Sequence, residues 1–531
     1  MDFTAHSREN RPLNSVADGY KKDNEPGPRG HAVNREFTLT QSSSQHTESA
    51  SEPRAPSLLD ALIPLGILIA LLSLSVYFYG ADSSYGPNQI ALLLCAGVVA
   101  LMGMKNGHSW NDMEGGMLHG IGLVFGAILI LLAVGALIGS WILAGTVPSM
   151  IYFGVQILSP QWFYAASCII CAIVGLSIGS SWTTAGTLGV ALIGIAGALG
   201  LDPAITAGAV ISGAYFGDKM SPLSDTTNVA AAVTSNDLFL HIRHMLWTTL
   251  PAFFTALVIF AVIGLTADTG TASATDIEEL LTALKGEFNI SIVSLLPLVL
   301  LLFMAWRKIP AYPTLIIGAL VGCAIALIFE PETARRLGGG EGALAAIKGA
   351  WYALFDGYKS TSTNESVAEL LSKGGMSSML NTVWLIISAM AFGGAMERAG
   401  FLQVIVDWTL SKVKTVGGLV TSTVLTCFGM NAAAGDQYMA IIIPGRMFRE
   451  AYADKGLHGL NLSRTLEDSG TITSVLIPWN TCGAFMSGTL GIATFSYAPY
   501  ALFNLICPLL AIAYGWFHFK QMPLSAAATA R

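Results

Sequence analysis

The sequence predicts an all-α polytopic membrane protein with about 10–13 transmembrane helices in two repeats, the repeats most simply inverted, whose broken helices and hairpins meet at the bilayer midplane. Three observations carry this. The 531 residues are 53% hydrophobic and 11% charged, with a mean hydropathy of +0.59, far from the balance of a soluble domain. Apolar runs of crossing length recur along most of the chain. At corresponding places in the two halves, those runs are interrupted by Gly, Pro and oxygen-bearing side chains.

Residues 1–56 come first and read as a disordered cytoplasmic tail, rich in Ser, Thr, Gln, Asn, Pro and charge with almost no apolar pattern. No apolar stretch follows Met1 closely enough to act as a secretory signal. A first membrane repeat is predicted over 57–266, with apolar runs at 58–80, 89–104, 117–145, 163–179, 187–201, 203–217 and 245–266. An external linker follows at 267–289. The second repeat, 290–518, carries runs at 290–306, 312–329, 380–396, 417–433, 436–448, 471–492 and 498–518, before a cytoplasmic tail at 519–531. Several runs fall short of the roughly 20 residues of a full crossing and suit hairpins or broken helices.

Orientation follows from Lys and Arg. Arg8, Arg11, Lys21, Lys22, Arg29, Arg35 and Arg54 precede the first span, whereas the loop 81–88 has neither residue type, which puts the N-terminus in the cytoplasm. Arg307-Lys308, Lys520 and Arg531 read as cytoplasmic too; the acidic stretch with Asp268, Asp276, Glu278, Glu279 and Glu287 reads as external, although Lys285 lies within it.

Several function classes drop out. The net charge of −7 is spread over tail and loops, which implies no nucleic-acid partner. Cys95, Cys168, Cys171, Cys323, Cys427, Cys482 and Cys507 all fall in apolar runs and read as small buried hydrophobes, the Cys168/Cys171 pair included. Neither an HExxH nor a GxSxG motif is present, so an intramembrane enzyme is disfavoured, and the broken-helix layout suits a carrier better than a channel.

The most informative segment is Gly217-Asp218-Lys219-Met220-Ser221-Pro222-Leu223-Ser224-Asp225-Thr226-Thr227-Asn228. It sets two carboxylates, a lysine and five hydroxyl or amide side chains between apolar runs. Ionisable groups at membrane depth cost at least a few kcal/mol each and mark solute or ion paths. Pro222, lacking an amide hydrogen, suits the first turn of a helix with Ser221 as its N-cap, which places the break near 217–221. On a helix so started, Ser221, Ser224, Asp225 and Asn228 share one face. Such a hard-oxygen set suits a hard cation such as Na⁺, and a carboxylate that holds either Na⁺ or H⁺ couples the two fluxes by competition. The rival reading is a structural ion pair with Lys219 plus capping.

A second polar zone repeats the layout. Gly179 and Pro222 have counterparts 256 residues on, at Gly435 and Pro478. Ser180 and Thr184, with Thr183 and Thr187, either complete the cation shell or bond within their own bundle. Asp436, Glu467, Asp468, Asn480 and Thr481 form a secondary set, with helix capping the rival for Asp436 and pairing with Arg464 the rival for Glu467. His108, Asp112, Glu114 and His119 read as an ordinary loop mouth, Glu397-Arg398 as a charge pair at a helix end, and His241, Arg243 and His244 as cytoplasmic anchors.

The Gly217–Asn228 motif closely resembles the GDKMSPLSDTTN signature of the NhaC family of Na⁺/H⁺ antiporters. The segments 179–187, 374–376, 435–438 and 477–481 also resemble family patterns. The resemblance covers about 58–518 and implies a secondary carrier of the cell inner membrane with inverted repeats, engaged in sodium transport and pH homeostasis. It leaves open a Na⁺- or H⁺-coupled exchanger of a small organic acid or amino acid. The sequence thus predicts a sodium–proton antiporter without a cofactor, whose partners are Na⁺, H⁺ and the lipid bilayer; a homodimer is compatible with it. Asp218 and Asp225 bind Na⁺ and the proton, with Ser221, Ser224, Thr226, Thr227, Asn228, Ser180 and Thr184 as neutral oxygen donors.

Overall fold

The computed structural model describes residues 53–266 and 274–524. The tail expected at 1–56 lies almost wholly outside them, as do Asp268 and Arg531. The described residues are helical, with an isolated bridge between Leu457 and Pro523 as their only β pairing.

Nine of the described helices are long and apolar enough to cross a membrane, and a bent pair, Thr494–Tyr500 with Leu502–Trp516, makes ten. The nine include Leu58–Tyr79, Pro87–Lys105, Phe125–Leu143, Ser181–Ala198 and Leu238–Thr266. Shorter apolar helices add Val293–Trp306 and Phe401–Ser411. The helices Pro203–Met220 and Gln437–Asp454 are each 18 residues long but are diluted by the polar and charged residues that interrupt the apolar pattern. The chain is a multi-pass membrane protein. The linker expected at 267–289 contains a helix, Ala274–Glu287, whose Glu287 carboxylate accepts from Tyr358 Oη at 2.8 Å and Ser360 Oγ at 2.8 Å.

Small residues set the close helix approaches, as in other membrane bundles where lipid offers no hydrophobic drive. Phe163–Ile178 lies against Pro203–Met220 where Gly175 faces Gly217, and a Cβ on Gly175 would sit 3.2 Å from Gly217 Cα. Likewise Gly116 and Gly120 of Trp110–Leu123 meet Gly394 of Leu380–Arg398. Gly135 accepts from the Gly375 amide at 2.7 Å, joining Phe125–Leu143 to the turn before Met376.

At the start of each half's first break the backbone favours glycine. Gly179 (φ 74°) ends Phe163–Ile178, and Gly435 (φ 70°) follows Val416–Ala433; at both the chain turns through the left-handed region and re-enters a helix. Each is followed by an N-cap. Ser180 Oγ accepts from the Thr183 amide at 3.2 Å, and Asp436 Oδ1 accepts from the Tyr438 amide at 2.8 Å. Further along each half the pattern differs in detail but not in kind: Ser224 caps Asp225–Val233 and Asn480 caps Thr481–Leu490, again 256 residues apart.

The second break in the first half departs from expectation. The helix Pro203–Met220 runs through Asp218 and stops only at Ser221, whose backbone is extended (φ −82°, ψ 132°). Pro222 disfavours the helical region for the residue before it, which explains the stop. The next helix starts at Asp225, not Pro222, because Ser224 Oγ is the side chain placed to accept from the Thr227 amide, at 3.4 Å. Ser221 therefore precedes the restart, and no common helical face joins it to Ser224, Asp225 and Asn228.

Candidate functional site

The last turn of Pro203–Met220 presents two neighbouring residues to different surroundings, since successive side chains on a helix point about 100° apart. Asp218 faces a cavity and Lys219 a buried cluster.

The cavity, of about 370 Å³, brings together Asp218, Asp225 and Asp436 with Ser180, Ser181, Trp182, Gln437, Tyr438 and Thr481. Leu123, Val124, Gly126, Ala127 and Ile130 close its apolar side. Asp218 is 6% exposed; its Oδ2 accepts from the Ser181 amide at 3.0 Å and Ser181 Oγ at 2.7 Å, while its Oδ1 is buried without a hydrogen-bond partner. An unpartnered buried carboxylate oxygen is costly unless an ion, a proton or water meets it. Asp225, at the first turn of its helix, accepts from the Thr226 amide at 2.9 Å through Oδ1 and from the Tyr438 hydroxyl through Oδ2. Asp436 has both carboxylate oxygens engaged, Oδ1 by the amides of Tyr438 and Met439 and Oδ2 by Thr481 Oγ1 at 3.1 Å. The two halves also meet where Trp182 stacks on Phe485, ring centroids 4.0 Å apart. A smaller cavity of about 290 Å³ shares Ile130, Ser180 and Asp225 with the first and continues to Lys308, Ile309 and Pro310. Asp225 stands between the two.

Of the predicted neutral donors, Ser180 lines both cavities, whereas the others bond within the local segment. Thr184 Oγ1 donates to the Ser180 carbonyl at 2.9 Å, Ser221 Oγ accepts from the Leu223 amide at 3.2 Å, and Thr227 Oγ1 donates to the Lys219 carbonyl at 3.0 Å. Ser224 Oγ and Thr226 Oγ1 are 3.1 Å apart, and the exposed Asn228 donates to the carbonyls of Ser224 and Pro222. These residues hold the break's shape. Asn480 Nδ2 donates to Asn431 Oδ1 at 3.0 Å, and Thr481, like Tyr438, brings a second-half hydroxyl to the cavity. Ser181 and Tyr438 stand inside the segments 179–187 and 435–438 but carry no sequence signal as carboxylate partners. One follows the N-cap serine and the other is an aromatic, so neither advertises itself as a donor to a carboxylate in the other segment.

Lys219 pairs with none of the three cavity aspartates. Fully buried, it forms an ion pair with Asp468 Oδ1 and donates to Cys507 Sγ at 3.3 Å; Asp468 Oδ1 also accepts from Thr248 Oγ1 at 2.9 Å. Glu467 accepts from Thr471 Oγ1 at 2.9 Å. Arg464 does not make the rival pair with Glu467 but donates to the Lys520 carbonyl at 3.0 Å. His241 is fully buried rather than a surface anchor, and His244 lies 3.3 Å from Asn461 Oδ1. Arg398 bonds to Asp112 at 2.7 Å, so its partner is across the bundle and not Glu397. The cysteines are free and buried.

Fold and site together define a multi-pass membrane protein with a carboxylate-lined cavity at broken helices. The chain belongs to the Na⁺/H⁺ antiporter family, whose model matches residues 213–519, in line with the NhaC resemblance of the Gly217–Asn228 motif. It is 38% identical over 456 residues to the Na⁺/H⁺ antiporter NhaC of Alkalihalophilus pseudofirmus, covering 86% of this chain and 94% of that one. It is 36% identical to the malate-2H⁺/Na⁺-lactate antiporter of Bacillus subtilis, over 87% of this chain and 95% of the relative, and 36% identical to the arginine/ornithine antiporter ArcD of Halobacterium salinarum, over 89% and 95%. Among solved structures, the YdaH transporter of Alcanivorax borkumensis aligns over 87% of this chain and 99% of its own, with 13% identity and a TM-score of 0.36.

Proposed function

We propose that this protein exchanges Na⁺ for H⁺ by alternating access across the cell inner membrane, with both termini in the cytoplasm and the cation held between Asp218 and Asp225. The observation that carries the reading is the free Oδ1 of Asp218, buried on a polar cavity that two further carboxylates line. Na⁺ and a proton are alternatives for that oxygen, so loading one displaces the other and couples their fluxes without a separate relay. Asp225, shared with the smaller cavity that runs to Lys308, gives access from the side that the basic Arg307-Lys308 loop assigns to the cytoplasm. The corresponding caps and breaks in the two halves support a two-repeat carrier whose moving parts meet at this cavity.

A second reading, a Na⁺- or H⁺-coupled exchanger of a small organic acid or amino acid, is favoured by one dimension. About 370 Å³ is roughly ten times the ≈ 30 Å³ share of one water molecule and admits a small organic solute. The malate-lactate and arginine/ornithine relatives accord with it. Purified protein in proteoliposomes separates the two. A Na⁺ gradient moving protons with no organic solute present supports the first reading, whereas trans-stimulation by an organic acid or amino acid, with no Na⁺-dependent pH change, overturns it.

A further inference from the structure

Two further cavities lie along the same helices, and cation binding at Asp218 and Asp225 uses neither. The larger, of about 490 Å³, is lined by Ile138 and Ile142 of Phe125–Leu143, Val190 and Ile193 of Ser181–Ala198, and Gly488 and Thr489 of Thr481–Leu490. Those three elements also line the cation cavity, through Ala127 and Ile130, Trp182, and Thr481. At a rise of about 1.5 Å per residue, Ile130 and Ile138 stand about 12 Å apart along their helix, as do Trp182 and Val190, so the two cavities are stacked along one path. The outer one ends at Lys359, Lys373 and Tyr85, the last in the loop whose lack of Lys and Arg assigns it to the outside. A smaller outer cavity of about 280 Å³ shares Tyr85, Ser378 and Gly488 with it and reaches Pro478, at the second-half break. The inner cavities run instead toward Lys308.

One layer of small and apolar groups separates outer from inner. Gly186 lies in the π-helical turn Ala185–Gly189, and a Cβ there would stand 3.1 Å from Val134 Cγ2 and 3.8 Å from Thr489 Cγ2. Such a locally widened turn is frequent at functional sites. Thr489 Oγ1, on the outer side of the layer, and Trp182 Nε1, on the inner side, are both buried without a hydrogen-bond partner. Buried polar groups are ordinarily paired, and a passing solute or its water would pair both. The layer is also a seam. Phe125–Leu143 is tied to its own side by the Gly375 amide on the Gly135 carbonyl and by Trp141 Nε1 on the Gly318 carbonyl at 3.1 Å. Ser181–Ala198 and Thr481–Leu490 are tied to each other by the Trp182–Phe485 stack. Among the described residues no hydrogen bond crosses from the first helix to the other two, so a shift along the seam breaks only dispersion contacts.

We propose that the outer cavity is the external half of the solute route, and that Val134, Gly186 and Thr489 form the barrier that is closed in this conformation. This rests on the alternating-access reading. Ser181–Ala198 and Thr481–Leu490 move as one unit against Phe125–Leu143, opening the layer to the outside while the path toward Lys308 closes. Na⁺ then passes between Asp218 and the external solution by way of Thr489.

The test is a reversible lock. A cysteine Sγ takes the place of a valine Cγ, so Val134→Cys combined with Gly186→Cys stands within disulfide reach. In proteoliposomes of the full-length double variant, oxidation should remove Na⁺-driven proton movement and a reductant should restore it, while the oxidised protein in detergent still binds radioactive Na⁺. Each single variant should be insensitive to the oxidant. A cross-linked protein that transports at its reduced rate overturns the barrier, and so does one that loses Na⁺ binding, since the bond then acts on the cavity itself. Should the double variant fail to fold or to cross-link, Thr489→Cys keeps the test open. A charged, membrane-impermeant thiol reagent outside right-side-out vesicles should label it and stop transport, against a wild type whose buried cysteines stay unlabelled. Thr489→Cys that stays unlabelled, or that is labelled and transports as before, overturns the outer route. Wild type that moves no protons on a Na⁺ gradient overturns the antiport reading instead, and external labelling of Thr489→Cys then decides by itself whether the outer cavity opens to the outside.

Discussion

The break at Gly179–Ser180 with Ser221–Ser224 and the break at Gly435–Asp436 with Ile477–Asn480 use the same backbone device to different chemical ends. Both begin with a left-handed glycine followed by a cap, and both end with a Pro-containing gap closed by another cap. In the first half the caps are serines and Asp218 keeps a bare Oδ1, while Asp225 is engaged by the Thr226 amide and by Tyr438 from the other half. In the second half the carboxylate is itself the cap, and Asp436 has both oxygens occupied. The difference teaches that a charge in a broken helix is open to a ligand to the extent that the break leaves it unspent. The second half lines the cavity with Asp436, Gln437 and Thr481 and sends the Tyr438 hydroxyl across to Asp225.

The largest contrast should come from the aspartates. Asp218→Asn should abolish Na⁺-driven proton movement in proteoliposomes, whereas Asp436→Asn, which keeps a side chain about as good at capping as aspartate, should leave the thermal midpoint nearly unchanged and lower transport by roughly tenfold or less. If the two variants lose transport equally, the halves are not functionally unequal.

Next come the glycines. A Cβ at Gly179 would stand 2.9 Å from the Ser224 amide nitrogen and 2.7 Å from Leu223 Cβ, pushing the two breaks apart, while one at Gly435 would meet Ala389 Cβ at 3.3 Å. Gly435→Ala should cost about 1–2 kcal/mol from backbone strain alone, and Gly179→Ala more, together with most transport. Thermal unfolding in detergent and flux assays read both.

Tyr438→Phe should act more gently. It removes the hydroxyl that bridges the halves and leaves the ring, so the apparent Na⁺ affinity should change by about tenfold or less, in keeping with a net 0.5–1.5 kcal/mol for one hydrogen bond. An unchanged affinity would mean that the bridge is not part of the loaded state.

The smallest effect is predicted well away from the cavity, at Asp112. Its carboxyl is held below the usual carboxylate range by the Ser109 hydroxyl and then by Arg398. Because the folded value is lowered, the stabilisation is fully present above the unfolded value of about 3.9 and is lost as pH falls through the folded one. Asp112→Asn should therefore change the thermal midpoint by the same small amount throughout pH 6–9, without affecting Na⁺-dependent flux. A flux change would extend the site to this mouth.

Much of this was legible in the residues. Gly179, Gly435, Pro222 and Pro478 mark backbone events that few other residues permit, so the breaks could be located, and the motif around Asp218 placed them in a family. The restart of the helix at Asp225 was not legible, because Ser221 and Ser224 are both competent caps and only the path of the chain decides which one meets an amide. Nor was the fate of the hydroxyls. Thr184, Ser221, Thr227 and Asn228 have the chemistry of cation ligands, but each finds a backbone partner within eight residues.

What the sequence by itself determined was the class of solvent, the helical architecture and the positions at which helices stop, all of which depend on local composition and on the dihedral limits of Gly and Pro. Tertiary structure decided which charge meets which. Asp218 and Lys219 are neighbours in the chain, yet one joins Ser181 at a cavity and the other pairs with Asp468, 249 residues away. A helix turns successive side chains about 100° apart, and only the packing of distant segments supplies the partner on each side.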